Sequence, residues 1–274
     1  MLCGSAALTC LFILGCGAPH VTENGPQIIA HRGASAQAPE NTMAAFNEAW
    51  TQGADGIEGD FRLCGDGTII CMHDATLQRT AGDPRSVDSI SSADLQSLEA
   101  GSWMSEHHRG EPIPELTTIL QTVPSGGRVF IELKSGPAII PALISCLDAN
   151  HLDLDQVVVI AFNDDVIRGL KAARPEVRCL LLESFKQREG SWHPTVTELI
   201  GRAADCGADG LGVEARVEVV DAEFVQACHA AGLVLNVWTV DAPETARVLA
   251  ECGVDTITTN RPALVRKALE ASGG

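Results

Sequence analysis

The chain of 274 residues has no C-x-x-C pair, no G-x-G-x-x-G and no G-x-x-x-x-G-K-[ST]. Without the two glycine-rich fingerprints, dinucleotide binding and P-loop chemistry lose their usual sequence support. Lysine and arginine are also scarce, 19 against 36 acidic residues, which leaves a formal charge of −17. The average field therefore repels nucleic acid backbones and anionic membranes, so no nucleic-acid partner is expected. Any anionic substrate needs a local positive centre. With 45% hydrophobic residues and a mean hydropathy of +0.11, the chain can bury a sizeable core, and disorder is excluded. Its length is compatible with one large α/β domain.

Cysteine is plentiful but unorganised. Three of the ten (Cys3, Cys10 and Cys16) crowd the first sixteen residues, and the remaining seven are scattered singly. Buried free thiols are expected over a disulfide scaffold or a thiolate zinc site. The opening MLCGSAALTCLFILGCG carries no charge and is too short to span a bilayer as a helix. It resembles an export signal, and Ile13-Leu14-Gly15-Cys16 is similar to a bacterial lipoprotein processing box with Cys16 as the lipidated residue. The lack of lysine or arginine beside Met1 departs from that pattern. Residues 1–26 are read as a leader or N-terminal extension, with an exported enzyme favoured over a cytoplasmic one. No transmembrane span is expected.

From residue 27 short apolar runs alternate with helix-length segments. The runs are 27–33, 55–61, 67–73, 128–134, 156–162, 177–183, 209–214, 233–240 and 254–260. They read as continuously hydrophobic, as expected for strands buried on both faces. Between them, Thr42–Gly53 shows a helical apolar face, with Asn41 as its candidate N-cap. Further helices are expected over Ala138–Ala149, Asp164–Ala173, Thr195–Cys206, Val219–Ala231, Ala242–Cys252 and Arg261–Ala271. With 67–73 set aside as an extension after the second strand, eight strand–helix units remain. They predict a (β/α)₈ TIM barrel spanning 27–274. The polar, Gly/Pro/Ser-rich stretch 74–115, with one short helix candidate at Ser92–Leu98, reads as an insertion beside the site.

The catalytic end of such a barrel lies at the C-terminal ends of its strands. The first strand ends in His31-Arg32-Gly33. The second carries Glu58 and Asp60, whose spacing of two directs both side chains to one side. The next barrel strand ends in Glu132 and Lys134. The three acids form an all-oxygen cluster on neighbouring strands. Such ligands suit calcium or magnesium, with manganese also admitted, better than zinc. His31, and His73 beside Asp74, offer a base and an acid near neutral pH, as phosphodiester cleavage requires. Arg32 and Lys134 supply the positive centre for a phosphate. Trp238, at the end of the seventh strand, reads as an apolar cover for the substrate rather than core packing. Phe162 is a lesser candidate of the same kind. His107 and His108 sit in a polar loop and read as solvated, while His151, His193 and His229 receive no role.

HRGASAQAPENTMAAFNEAW followed by GADGIEGDFRLCGDGTIICMHDATLQRT resembles the signature of the glycerophosphodiester phosphodiesterases. GEPIPEL, the Glu132-Leu133-Lys134 strand end, NVWTVD and GVDTITTNRP extend the likeness to about residues 27–270. The resemblance implies a (β/α)₈ barrel with a small insertion after the second strand. It implies His31 and His73 as the catalytic pair, Glu58, Asp60 and Glu132 as ligands of one divalent cation, Arg32 and Lys134 on the phosphate, and Asn41 in support. The implied partner is a small glycerophosphodiester, cleaved to sn-glycerol 3-phosphate and an alcohol. Which histidine is base and which is acid stays open. Asp241 replaces a frequent asparagine after W-T-V, a change expected to affect how Trp238 and its loop are held. A lysophospholipase D or sphingomyelinase-type enzyme on the same barrel is the main alternative. A non-catalytic phosphodiester-binding or protein-interaction barrel is the second.

Overall fold

The computed structural model describes residues 25–150 and 152–271. Residues 1–24 of the leader, with Cys16, and His151 lie outside the described residues. Along the chain the strands are β1 (Gln27–His31), β2 (Gly56–Leu63), β3 (Ile69–Cys71), β4 (Arg128–Leu133), β5 (Val157–Ala161), β6 (Arg178–Glu183), β7 (Lys186–Arg188), β8 (Ser191–His193), β9 (Gly210–Glu214), β10 (Val234–Trp238) and β11 (Thr256–Thr259). The helices are α1 (Met43–Thr51), α2 (Gln78–Ala81), α3 (Ser92–Leu95), α4 (Leu116–Leu120), α5 (Ile140–Ala149), α6 (Asp164–Ala173), α7 (Val196–Cys206), α8 (Ala222–Ala230), α9 (Pro243–Cys252) and α10 (Pro262–Glu270).

Eight strands pair in parallel in the order β1, β2, β4, β5, β6, β9, β10, β11, and β11 returns to β1. This closed ring with helices outside is the (β/α)₈ barrel that the alternation of apolar runs predicts. Alternation within each strand explains why the runs are unbroken. In β5, Val157, Val159 and Ala161 face the helical layer, whereas Val158 and Ile160 pack inside the barrel with Ile29, Phe130, Leu180 and Leu182. Every position thus meets apolar neighbours. Each such side chain contributes on the order of 1.5–3 kcal/mol when fully buried.

β3 folds back antiparallel on the end of β2, so the run 67–73 is, as expected, an addition after the second strand and not a barrel strand of its own. The insertion that follows has its own small core, in which Leu77, Val87, Ile90 and Leu95 pack on Ile70 and Met72. Helix α2, helix α4 and the β7–β8 hairpin were not anticipated from the sequence. The hairpin strands have three residues each and carry exposed Lys186, Gln187 and Arg188, so they leave no apolar period to detect.

Asn41 is not the N-cap of α1. Thr42 takes that position, its hydroxyl accepting from Ala45 N–H at 3.3 Å, while Asn41 adopts a left-handed backbone with φ 60°. All seven cysteines among the described residues are free, and Cys64, Cys71, Cys179, Cys206 and Cys228 are buried. Among the described residues no helix is long and apolar enough to cross a membrane.

Candidate active site

The register of the barrel brings the predicted residues to one rim. His31 pairs with Glu58 across β1–β2, and Asp60 pairs with Glu132 across β2–β4. Beyond β1 the chain turns sharply. Arg32 has φ 56° and Gly33 φ 81°, and a Cβ on Gly33 would lie 2.5 Å from the Ala45 carbonyl carbon. Only glycine allows this packing of the turn on α1. The left-handed Arg32 directs its backbone N–H onto Glu58 Oε2 at 2.9 Å. Such a conformation in a non-glycine residue costs on the order of 1–3 kcal/mol and is typical of functional turns.

A cavity of about 570 Å³ opens over this rim, lined on one side by His31, Arg32, Glu58, His73, Glu132 and Lys134. Its other side is made by Ile160, Phe162, Leu182, Asn236, Trp238 and Thr258. Every catalytic, metal and phosphate candidate except fully buried Asp60 therefore lines one space. Phe162 and Trp238 meet edge to face, with ring centroids 5.6 Å apart.

Glu58, Asp60 and Glu132 are buried, and each offers an oxygen within 4.8 Å of the others. Burial, with Asp60 and Glu132 nearby, pushes the Glu58 carboxyl well above its ordinary range. Burial and Asp60 likewise lift Glu132 to about 7. Burial also acts to raise Asp60, but Arg32, Lys134 and the Asn41 amide outweigh it and hold the group at about 2. Glu58 Oε1 is buried without a hydrogen-bond donor. Asp60 Oδ1 has no well-directed hydrogen bond either, only the Lys134 ammonium 3.2 Å away. Orphaned buried carboxylate oxygens are costly unless a cation meets them. The donor set therefore fits one hard divalent cation.

Asn41 holds the cluster. Its Nδ2 donates to Asp60 Oδ2 at 2.8 Å, and its Oδ1 accepts from Asp60 N–H at 3.0 Å and from the Cys71 thiol at 3.1 Å. Both cations lean on the acids: Arg32 Nε lies 3.0 Å from Asp60 Oδ2, and Lys134 Nζ lies 2.6 Å from Glu132 Oε1. Lys134 Nζ also stands 5.9 Å from the Phe162 ring centroid.

The two histidines have different supports. His31 Nδ1 lies 2.8 Å from Asn260 Oδ1, while Asn260 Nδ2 donates to Asp241 Oδ2 at 2.6 Å. A carboxylate only accepts, so Asp241 fixes the amide orientation, and His31 must carry its proton on Nδ1. Burial, and then Arg32, lower the His31 pKa against the opposing Asn260 bond. His73 Nδ1 lies 2.7 Å from Asp74 Oδ1, and Asp74 is held in turn by Arg79. Arg79 also reaches Glu40, which accepts from Arg32. Arg62 clamps the His73 carbonyl with Nε and Nη2 at 2.9 and 2.7 Å.

Asn260, Arg79, Glu40 and Arg62 were not singled out from the sequence. Asn260 directly follows the eighth barrel strand, so the strand-end rule that flagged His31 would have found it. Asp241 lies in the loop that follows Trp238 and ties that loop to the end of β11. Its oxygens accept from Asn260 and Thr259. Among the described residues the remaining histidines stay apart from the site: His107 is exposed beside His108, His193 lies on β8, and His229 pairs with Asp255 at 3.0 Å.

Residues 31–264 match the glycerophosphoryl diester phosphodiesterase family. A glycerophosphodiester phosphodiesterase of Caldanaerobacter subterraneus subsp. tengcongensis is 32% identical over 251 residues, covering 88% of this chain and 98% of its own. An Oleispira antarctica phosphodiesterase, solved in complex with the product sn-glycerol-3-phosphate, superposes with a TM-score of 0.79 at 28% identity. That match covers 90% of this chain and 97% of the other. A Silicibacter pomeroyi structure shares the fold with a TM-score of 0.80 at 22% identity, over 92% and 95% of the two chains. With this match and this rim of residues, the chain belongs to the glycerophosphoryl diester phosphodiesterase family, an enzyme family of phosphoric diester hydrolases.

Proposed function

We propose that the protein hydrolyses glycerophosphodiesters to sn-glycerol 3-phosphate and an alcohol, with His31 as general base and His73 as general acid. The observation that carries this reading is the pair of unlike histidine supports in one cavity beside an oxygen-only triad. Glu58, Asp60 and Glu132 would hold a divalent cation, with calcium or magnesium the expected ion. Bound there, it would supply Lewis acidity toward a phosphoryl oxygen and lower the pKa of a nearby hydroxyl.

His31, protonated on Nδ1 and kept neutral by burial and Arg32, has a free lone pair on Nε2. That nitrogen accepts the proton of the glycerol 2-hydroxyl as its oxygen attacks phosphorus. Arg32 and Lys134 face the cavity and orient the phosphate. His73, backed by the Asp74 carboxylate, carries a proton on Nε2 and gives it to the departing alkoxide as the ester P–O bond breaks. Water then opens the cyclic phosphate, with His73 taking a proton from water and His31 returning one to the 2-oxygen. Both histidines end as they began.

The test is glycerol 3-phosphate release from glycerophosphocholine by the purified chain after chelation, then with calcium, magnesium or manganese restored. Metal-restored turnover that falls roughly 10²–10⁴-fold in His31→Ala and in His73→Ala is expected. No release with any ion, together with turnover of lysolipid, would replace this reading with the lipase alternative.

A further inference from the structure

Opposite the metal triad, the barrel interior holds a polar group that the chemistry above does not use. Asn236 on β10 is 1% exposed, among the inward-facing apolar residues Ile160 and Leu182. Its Oδ1 accepts from Thr256 Oγ1 at 2.7 Å and from Thr258 Oγ1 at 2.9 Å, both on the neighbouring β11. Two bonds from a second strand lock the amide, so the Nδ2 hydrogens face the cavity that Asn236 lines. Two residues on, Trp238 Nε1 is buried without a hydrogen-bond acceptor.

Both donors lie beside the bare backbone of Gly212 on the adjacent strand β9. A Cβ on Gly212 of β9 would stand 3.5 Å from Asn236 Nδ2 and 3.7 Å from Trp238 Nε1. It would also strike Leu182 Cδ2 at 2.5 Å, so any side chain here would have to displace Leu182. A buried indole N–H left without a partner is destabilising. Such a cost is explained if a ligand acceptor completes the site.

We infer that Asn236 Nδ2 and Trp238 Nε1 form a two-donor substrate-recognition site for the terminal hydroxyl oxygen of the glycerol moiety. This rests on the reading of the cavity as a glycerophosphodiester site. Choice of the glycerol end follows from burial. The departing alcohol varies in size and needs the open mouth, where Phe162 is 43% exposed. The glyceryl group is the constant part and fits the closed end. There the 2-hydroxyl meets His31 and the triad, and the far primary hydroxyl meets the donor pair. Ile160 and Leu182 cover the carbons between them.

A matched pair of p-nitrophenyl phosphodiesters tests this, one of glycerol and one of propane-1,2-diol. The second keeps the attacking hydroxyl and lacks only the terminal one. A site built to bond a hydroxyl rejects the analogue without it strongly, so kcat/KM of the full chain should favour the glycerol ester by roughly 10²-fold or more. In Asn236→Leu and in Trp238→Phe the ratio should fall to within about tenfold of unity. Trp238→Phe keeps the ring, and it serves if Asn236→Leu does not fold. Equal kcat/KM for both esters in the parent chain, or an undiminished ratio in a folded variant, overturns the inference. Failure to cleave the glycerol ester at all would overturn the underlying function instead, so the two failures are distinguishable.

Discussion

The side-chain oxygen of Asn260 lies 2.8 Å from Nδ1 of His31, 229 residues away in the chain. Ser35 Oγ donates to the same oxygen at 2.7 Å, and Asp241 anchors the amide from behind. This arrangement assigns the His31 proton to Nδ1 and leaves Nε2 to accept. Asn260→Leu keeps the volume but removes the acceptor. Its kcat should fall roughly 10–100-fold, the usual cost of losing an orienting partner, with KM changed less. Steady-state kinetics on glycerophosphocholine would check it, and a kcat within twofold of the parent would remove Asn260 from the machinery.

The unlike supports of the two histidines make a second expectation. Only the departing alkoxide needs the proton assigned to His73. With p-nitrophenol as leaving group that need largely disappears, so the first-turnover release of nitrophenol by His73→Ala should recover most of its lost rate, while opening of the cyclic phosphate, where His73 takes the proton of water, stays slow. His31→Ala should stay impaired, because the attacking hydroxyl still has to be deprotonated. Rates with choline and nitrophenyl esters side by side would decide the matter, and rescue of His31→Ala instead would exchange the two roles.

How much of this was legible in the sequence depended on the range of each interaction. The barrel was legible because unbroken runs such as QVVVIAF meet apolar layers on both faces, a property written locally. Glu58, Asp60 and Glu132 stood out because acids interrupt those runs. The supports were not legible. Asp241 and Asn260 are 19 residues apart, and Glu40 and Arg79 are 39 apart, so only the closed barrel and its insertion bring them together. Asn41 misled for a different reason. Asparagine suits both an N-cap and a left-handed residue, and Thr42 beside it satisfied the helix.

Arg79 bridges Asp74 and Glu40, and through them both histidine-bearing segments. The bond from Arg79, then that from His73, hold Asp74 at about 2. A depressed carboxyl contributes stability above its unfolded value of 3.8 and loses it as pH falls through about 2. Arg79→Met removes that contribution, so the stability gap between parent and variant should close below pH 4. Because Arg79 is partly exposed, the gap at neutral pH should be under about 1 kcal/mol. Turnover should suffer more, roughly tenfold or greater, since Asp74 orients His73. Urea unfolding at pH 7 and pH 3, paired with kcat, would test the split; a large stability loss at unchanged kcat would contradict it.

The metal triad should be proton-linked. Burial and Asp60 raise Glu132 to about 7 from an ordinary 4.5. Between those values the folded, metal-free protein keeps a proton that the unfolded chain has lost. Stability from this group is present below pH 4.5 and declines as pH rises through 7. A divalent cation bound at the triad would take the place of that proton, so its affinity should rise about tenfold per pH unit for each proton displaced below pH 7. The Tm gained on adding calcium to chelated protein should therefore be small at pH 5 and largest near pH 8. Equal gains at both pH values in scanning calorimetry would argue against ligation by Glu132.

Gly33 links fold and site most directly. It follows the left-handed Arg32 and has φ 81° itself, and its α-carbon sits against the backbone of α1. Alanine at this position has two costs, an unfavourable backbone conformation and a Cβ 2.5 Å from the Ala45 carbonyl carbon. The first is on the order of 1 kcal/mol, and the overlap forces α1 or the turn to move. We expect Gly33→Ala to lose about 2–4 kcal/mol in urea unfolding. Displacing the turn also withdraws the Arg32 N–H from Glu58 Oε2, so metal affinity should weaken with stability. A variant of parental stability that binds calcium as tightly by calorimetry would show that this turn tolerates a side chain, and that the glycine does not set the position of His31 and Arg32.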